Sequence, residues 1–196
     1  MVFKELKDSI SKASFEKYGN LYQETFNHEF ILDKKSLTYN FNDEFYKELI
    51  TIIPNIKNII ISGGEPLIND EFYDFIQWLI KNKFAENINL IVFSNMTKLV
   101  KNFKAIYDKF NSFTINVSLD GVSKKDEYIR RGTNFEEKTK NINQLISFFN
   151  IQFCSTMSIL NVGYQSEISK YCLKFNKRPS FFNILVEPFY LQINNL

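Results

Sequence analysis

Lys57-Asn58-Ile59-Ile60-Ile61-Ser62-Gly63-Gly64-Glu65-Pro66 is the stretch on which the reading of this chain turns. Three consecutive β-branched isoleucines favour extended backbone and suit a strand buried on both faces. The two glycines that follow remove both β-carbons, so the chain can turn sharply and a ligand can approach its backbone. Glu65 presents a carboxylate at that turn, suited to a ligand ammonium group. Pro66 has no N–H and stiffens the exit. A plain strand-to-helix turn would have the same local chemistry, so the surroundings have to decide.

Working outward, the pattern is a regular alternation of strand and helix. Asp70 begins a helix over 70–83, with Phe72, Phe75, Ile76, Leu79 and Ile80 at helical spacing. A strand over 89–93, a helix over 99–110 and a strand over 113–119 follow. Next come a helix over 134–150 with Ile142, Leu145, Ile146 and Phe149 on one face, a strand over 153–160, a helix over 165–175 and a strand over 182–186. Such alternation implies parallel strands joined by helical crossovers, in an open doubly wound sheet or in a closed or partial barrel. Either way, ligands belong at the carboxyl ends of the strands. Upstream, a short helix is expected over 3–17. A second helix is capped by Asn42 and runs to Ile52, before Pro54. Residues 1–54 are thus read as a helical lead-in and 55–196 as the core of a single domain.

Composition bounds the function. Of 196 residues, 44% are hydrophobic and 23% charged, as in an ordinary globular domain and unlike a disordered chain. Lys and Arg number 24 against 22 Asp and Glu, a net charge of +2, which gives no reason to expect nucleic acid or a membrane surface as partner. The 21 phenylalanines suit a Phe-rich core. The chain opens with charged residues, without an apolar signal segment, and no run is long enough to span a bilayer; a reducing cytoplasm is the expected location. No G-x-G-x-x-G or G-x4-G-K-[ST] phosphate loop is present, which disfavours the common nucleotide-binding α/β classes.

The residues after the strands match one known pattern. Ile61-Ser62-Gly63-Gly64-Glu65-Pro66-Leu67 resembles the GGEP segment of radical S-adenosylmethionine (radical SAM) enzymes, which follows a barrel strand and binds the amino group of the SAM methionine. The GG-[DE]-E-F loop of nucleotide cyclases is a rival, but it sits in a hairpin and lacks the proline. Ser94-Asn95-Met96-Thr97 resembles the family's Ser-Asn or Thr-Asn pair, with Met96 where a glycine is commoner. Ser118-Leu119-Asp120-Gly121 resembles its S-[IL]-D-G. Tyr128 to Phe135 resembles its Y-x-R-x-G-x-x-[FW]. The resemblance covers roughly residues 55–160. It implies a partial (βα)6 TIM-like barrel of parallel strands and a SAM site formed by Gly63, Gly64, Glu65, Pro66, Asn95, Ser118, Asp120 and Arg130. A polar group near a strand end would contact ribose, and an arginine would meet the SAM carboxylate. The set most resembles members with a partial auxiliary domain, the twitch, and Val186-Glu187-Pro188-Phe189-Tyr190-Leu191 resembles the segment where their barrel ends.

The same resemblance implies a [4Fe–4S] cluster held by a C-x3-C-x2-C loop after the first barrel strand. No such loop exists here. The only cysteines are Cys154 and Cys172, expected to be small buried residues on a strand and a helix, and the only histidine, His28, reads as a loop residue. The first strand and cluster loop are therefore expected to be missing, with the chain either a fragment of an enzyme or a degenerate member. In intact members the reaction is reductive cleavage of SAM to start radical modification of a peptide or small molecule. The alternative is a non-catalytic module that binds SAM or a partner. A missing first strand would leave 58–62 with an unpaired apolar edge, open to association with another chain.

Overall fold

A computed structural model describes residues 43–186 and 188–195. The helix expected over 3–17, the Asn42 cap, His28, and Glu187 in the last segment lie outside the described residues.

Helix α1 (Asp43–Ile52) ends where expected, and Pro54 enters a 3-10 turn directly after it. Strand β1 (Asn58–Ile61) leads through the Gly63–Gly64 turn into helix α2 (Asp70–Lys81). The start of α2 follows its sequence chemistry. The side chain of Asn69 accepts from the N–H of Glu71 at 2.9 Å, while Asp70 and Glu71 lie at the positive end and Lys81 at the negative end. Strands β2 (Asn89–Ser94) and β3 (Ser112–Ser118) flank a single helical turn, α3 (Phe103–Ile106). Helices α4 (Lys124–Ile129) and α5 (Phe135–Leu145) lead to strand β4 (Asn150–Met157). Helix α6 (Gln165–Leu173) and strand β5 (Pro179–Ile184) follow.

The five strands are all parallel and lie in the order β1-β2-β3-β4-β5. This settles what the alternation left open. In a doubly wound sheet the strand order reverses part-way and helices cover both faces. Here every crossover steps one strand in the same direction, so crossovers of one hand place their helices on one face. The architecture is that of a partial TIM-like barrel, and its sheet is not closed.

The helix-facing side holds the core. Leu90, Val92, Ile115, Val117, Ile151 and Phe153 are fully buried, packed with Ile76 and Leu79 of α2, Ile142 and Leu145 of α5, and Ile168 and Cys172 of α6. Fully burying each such side chain is worth about 1.5–3 kcal/mol. The Phe-rich composition serves this layer: Phe113 meets Phe110 and Phe149 edge-on at 5.5 and 4.8 Å, and Phe153 lies 5.5 Å from Phe175. The opposite face carries Ile60, Ile91, Phe93, Thr114, Asn116 and Gln152, brought side by side by the parallel register.

Several expectations need correction. β1 is not buried on both faces: among the described residues it pairs with β2 alone, and Ile60 is 62% exposed. A run of isoleucines reads the same at an edge as in the middle of a sheet. The helix expected over 99–110 shrinks to one turn. Asn102 adopts φ 49°, and the preceding segment is tied to α2, with the Lys101 N–H donating to the Tyr73 hydroxyl at 3.1 Å. The helix over 134–150 stops at Leu145, and β4 begins at Asn150, three residues earlier than expected. Ile151 and Phe153 face the core, while Asn150 and Gln152 are exposed. β5 also begins three residues early, at Pro179, where a missing N–H is tolerated at the start of a strand. Helix α4 was not expected, because six residues without a side-chain cap carry no periodic signal.

Candidate functional site at the carboxyl ends of the strands

The turn after β1 is stitched to the turn after β2 by one carboxylate. Gly63 and Gly64 have φ of 98° and 56°, and a β-carbon on either would meet nothing within 4 Å. They are glycines for their backbone angles, and the space around them is open. Glu65 is half-buried. Its Oε1 accepts from the Leu67 N–H at 3.2 Å and from the Ser94 hydroxyl at 2.7 Å, and its Oε2 accepts from the Asn95 N–H at 2.7 Å. Buried Pro66 opens the 3-10 turn that these bonds cap. The Asn95 side chain accepts from both the N–H and the hydroxyl of Thr97, at 2.9 and 2.7 Å. Met96 is fully buried at φ 57°, and its carbonyl accepts from Asn141. A left-handed conformation explains why glycine suits this position.

The turn after β3 is built from buried charge. The carboxylate of Asp120 is almost fully buried: Oδ1 accepts from the Thr156 N–H at 2.8 Å and the Ser155 hydroxyl at 3.3 Å, and Oδ2 pairs with the Arg130 guanidinium at 2.7 Å. The Thr156 N–H donates there just beyond the last residue that β3 pairs with β4, Ser118 opposite Cys154. The carbonyl of Asp120 accepts from Asn161 at 3.1 Å. Gly121 is a glycine for want of space, since a β-carbon would stand 2.7 Å from the Asp126 nitrogen. Beneath the turn, Asp126 and Lys138 form a fully buried ion pair, and burial pushes the Lys138 ammonium pKa down against the opposing pull of Asp126. The Lys138 ammonium also donates to the Ser118 carbonyl at 3.2 Å.

The eight residues singled out from the sequence therefore form two groups at the same end of adjacent strands. Gly63, Gly64, Glu65, Pro66 and Asn95 make one; Ser118, Asp120 and Arg130 make the other. Glu65 and Asn95 touch, as do Asp120 and Arg130, while no hydrogen bond joins the two groups to each other. The supporting residues Ser94, Asp126, Lys138 and Asn161 were missed. Lys138 could have been noticed, because it sits four and seven residues before Ile142 and Leu145 and so interrupts the apolar stripe of α5.

A one-directional parallel α/β sheet with paired polar turns at its carboxyl strand ends defines the class of protein. The family model described as the radical SAM superfamily matches residues 31–167, more than half of the chain, and the chain belongs to that superfamily. No curated protein matches it.

The chain's residues fit the family's two cofactors unequally. Three donors occupy the Glu65 carboxylate, which has about four acceptor positions, so Oε2 keeps one free for an ammonium group. Arg130 Nε and Asn116 Oδ1 are buried without a partner, and such groups are rare unless a ligand or water completes them. These donors and acceptors fit a polar ligand such as SAM. The cysteines do not fit a [4Fe–4S] cluster, which binds thiolates. Cys154 lies half-buried on β4 with its pKa raised by burial, and the fully buried Cys172 is pushed up to about 12. Among the described residues no group of three or more His, Cys, Asp and Glu is placed to hold a metal ion, and no helix is long and apolar enough to cross a membrane.

Proposed function

We propose that this chain binds S-adenosylmethionine at the carboxyl ends of β1, β2 and β3, as the ligand-holding part of a radical SAM protein. The observation that carries this reading is the Glu65 carboxylate, which ties the turn after β1 to the turn after β2 and keeps an acceptor position for the methionine ammonium. Gly63 and Gly64 leave the backbone open to the ligand, and Pro66 stiffens the turn. Asn95 and Ser118 line the site on the neighbouring strand ends. Asp120 holds Arg130, whose buried and unpaired Nε is left for the methionine carboxylate. When bound in this family, the cluster supplies the electron that cleaves SAM and two of the contacts that hold it. Without those contacts, SAM affinity for this chain is weak.

Calorimetry with SAM tests the reading. Glu65→Gln keeps the shape of the side chain but loses its charge and an acceptor, and should weaken binding by about tenfold. Ser94→Ala removes one bond of the stitch and leaves the charge in place, so it should weaken binding less. Equal losses in both variants would make Glu65 a purely structural brace, and no binding by the wild type would remove the SAM site altogether.

A second reading, a non-catalytic module that binds SAM or a partner, is favoured by the misfit of Cys154 and Cys172. Anaerobic reconstitution with iron and sulfide should leave this chain without a cluster. Formation of a stable [4Fe–4S] centre on it would overturn that reading.

A further inference from the structure

We propose that the buried Asp126–Lys138 pair positions the end of β3, and so sets where Ser118, Asp120 and Arg130 stand. The hydrogen bonds form a closed circuit. Asp126 Oδ1 accepts from the Asp120 N–H at 3.1 Å, Asp126 Oδ2 takes the Lys138 ammonium, and that ammonium donates to the Ser118 carbonyl at 3.2 Å. Three elements, β3, α4 and α5, are thereby locked at one point. The circuit takes over where the sheet stops: Leu119 N–H still donates to the Cys154 carbonyl of β4 at 2.8 Å, and the next amide, Asp120, is received by Asp126 instead.

Stability does not account for charged residues here. Desolvating two ions offsets most of their attraction, and apolar residues of similar size often pack as well or better. The lowered pKa of Lys138 reflects that desolvation. An apolar pair cannot do two things this pair does, namely donate to the carbonyl of residue 118 and accept from the amide of residue 120. Those two groups bracket Leu119 at the end of β3 and so fix Asp120 and, through its ion pair, Arg130. Gly121 completes the device, since its lack of a β-carbon lets the turn lie against Asp126. Lys138 and Asp126 are positioning residues: neither needs to touch a ligand. That the ligand is SAM rests on the function proposed above; the geometric role does not.

Two double variants test the proposal by amide hydrogen exchange, thermal unfolding and SAM calorimetry. Lys138→Met/Asp126→Leu should lower the unfolding temperature less than Asp126→Leu alone, because no charge is stranded although the Asp120 N–H and the Ser118 carbonyl lose their partners. It should speed exchange at Asp120 and Leu119 by about tenfold, leave Ile115 and Val92 unchanged, and weaken SAM binding. Lys138→Met/Asp126→Asn should restore protection at Asp120, because the Asn oxygen still accepts its N–H. It should not restore protection at Leu119, whose peptide carries the Ser118 carbonyl. Unchanged exchange at both residues overturns the proposal, as does faster exchange spread evenly over Ile115 and Val92, which would mark the pair as core packing. If the first variant fails to fold, the contrast between Asp120 and Leu119 in the second decides. A wild type that does not bind SAM sinks the ligand reading and leaves the exchange data to judge the positioning role.

Discussion

The turn after β1 and the turn after β3 occupy equivalent places in the sheet, and both contain glycine and a carboxylate, yet they are built on different physics. Gly63 and Gly64 answer to backbone angle in open space, whereas Gly121 answers to a collision 2.7 Å away. Glu65 reaches sideways to the adjacent loop with a half-buried side chain, whereas Asp120 is almost sealed in and braced from below by a second buried carboxylate and an ammonium. A short motif thus names a position without naming the force that holds it. The β1 turn is held lightly and keeps open acceptor space; the β3 turn is held rigidly and keeps a guanidinium in place.

Substitutions should separate the two turns. The largest effect is expected from Asp126→Leu alone, which strands the Lys138 charge in the interior and should cost about 3–5 kcal/mol in urea unfolding; a loss below about 1 kcal/mol would mean that the ammonium escapes to solvent. Gly121→Ala comes next. Its β-carbon meets backbone rather than a flexible side chain, so α4 must shift, at about 1–3 kcal/mol. Gly64→Asn should be close to neutral, a few tenths of a kcal/mol, because Asn tolerates the left-handed region and the space is empty. Equal losses at Gly64 and Gly121 would erase the difference between the two turns. Glu65→Gln should cost about 1 kcal/mol of stability, far less than Asp126→Leu, because its surroundings are half-open.

An effect confined to alkaline pH concerns the core behind both turns. Burial raises the Cys172 thiol pKa from 9.0 to about 12. Between those values the unfolded chain loses a proton that the folded chain keeps, so this thiol's contribution is full below pH 9 and fades as pH rises toward 12. Cys172→Ala should therefore flatten the decline of stability with pH over that window, relative to wild type. Parallel curves for the two proteins would show that the thiol opens to solvent.

Much of the site was legible because turn chemistry is local. Gly63-Gly64-Glu65-Pro66, Asn95 and Asp120-Gly121 mark themselves by residue type within a few positions, and the strands before them by short β-branched runs. Ser94, Asp126, Lys138 and Asn161 were not legible as parts of the site, because each acts through a contact with a different element. Lys138 reaches back twenty residues to Ser118, and Asn161 forty-one to Asp120. The ends of helices 99–110 and 134–150 were misplaced for a related reason: propensity extends a helix until tertiary contact stops it, as the Tyr73 hydroxyl and the register of β4 do here.

By itself, the sequence determined the alternation of strand and helix, the parallel class of sheet, and the turns on which a ligand site could be built. All of these follow from backbone preference and from apolar periodicity, which act over a few residues. Only the tertiary structure decided that the strand order advances one way across the sheet without reversal, that Ile60 of β1 stands exposed, and which carboxylate braces which turn. Those outcomes depend on long-range packing and on the removal of water from particular charges, and neighbouring residues along the chain carry no record of either.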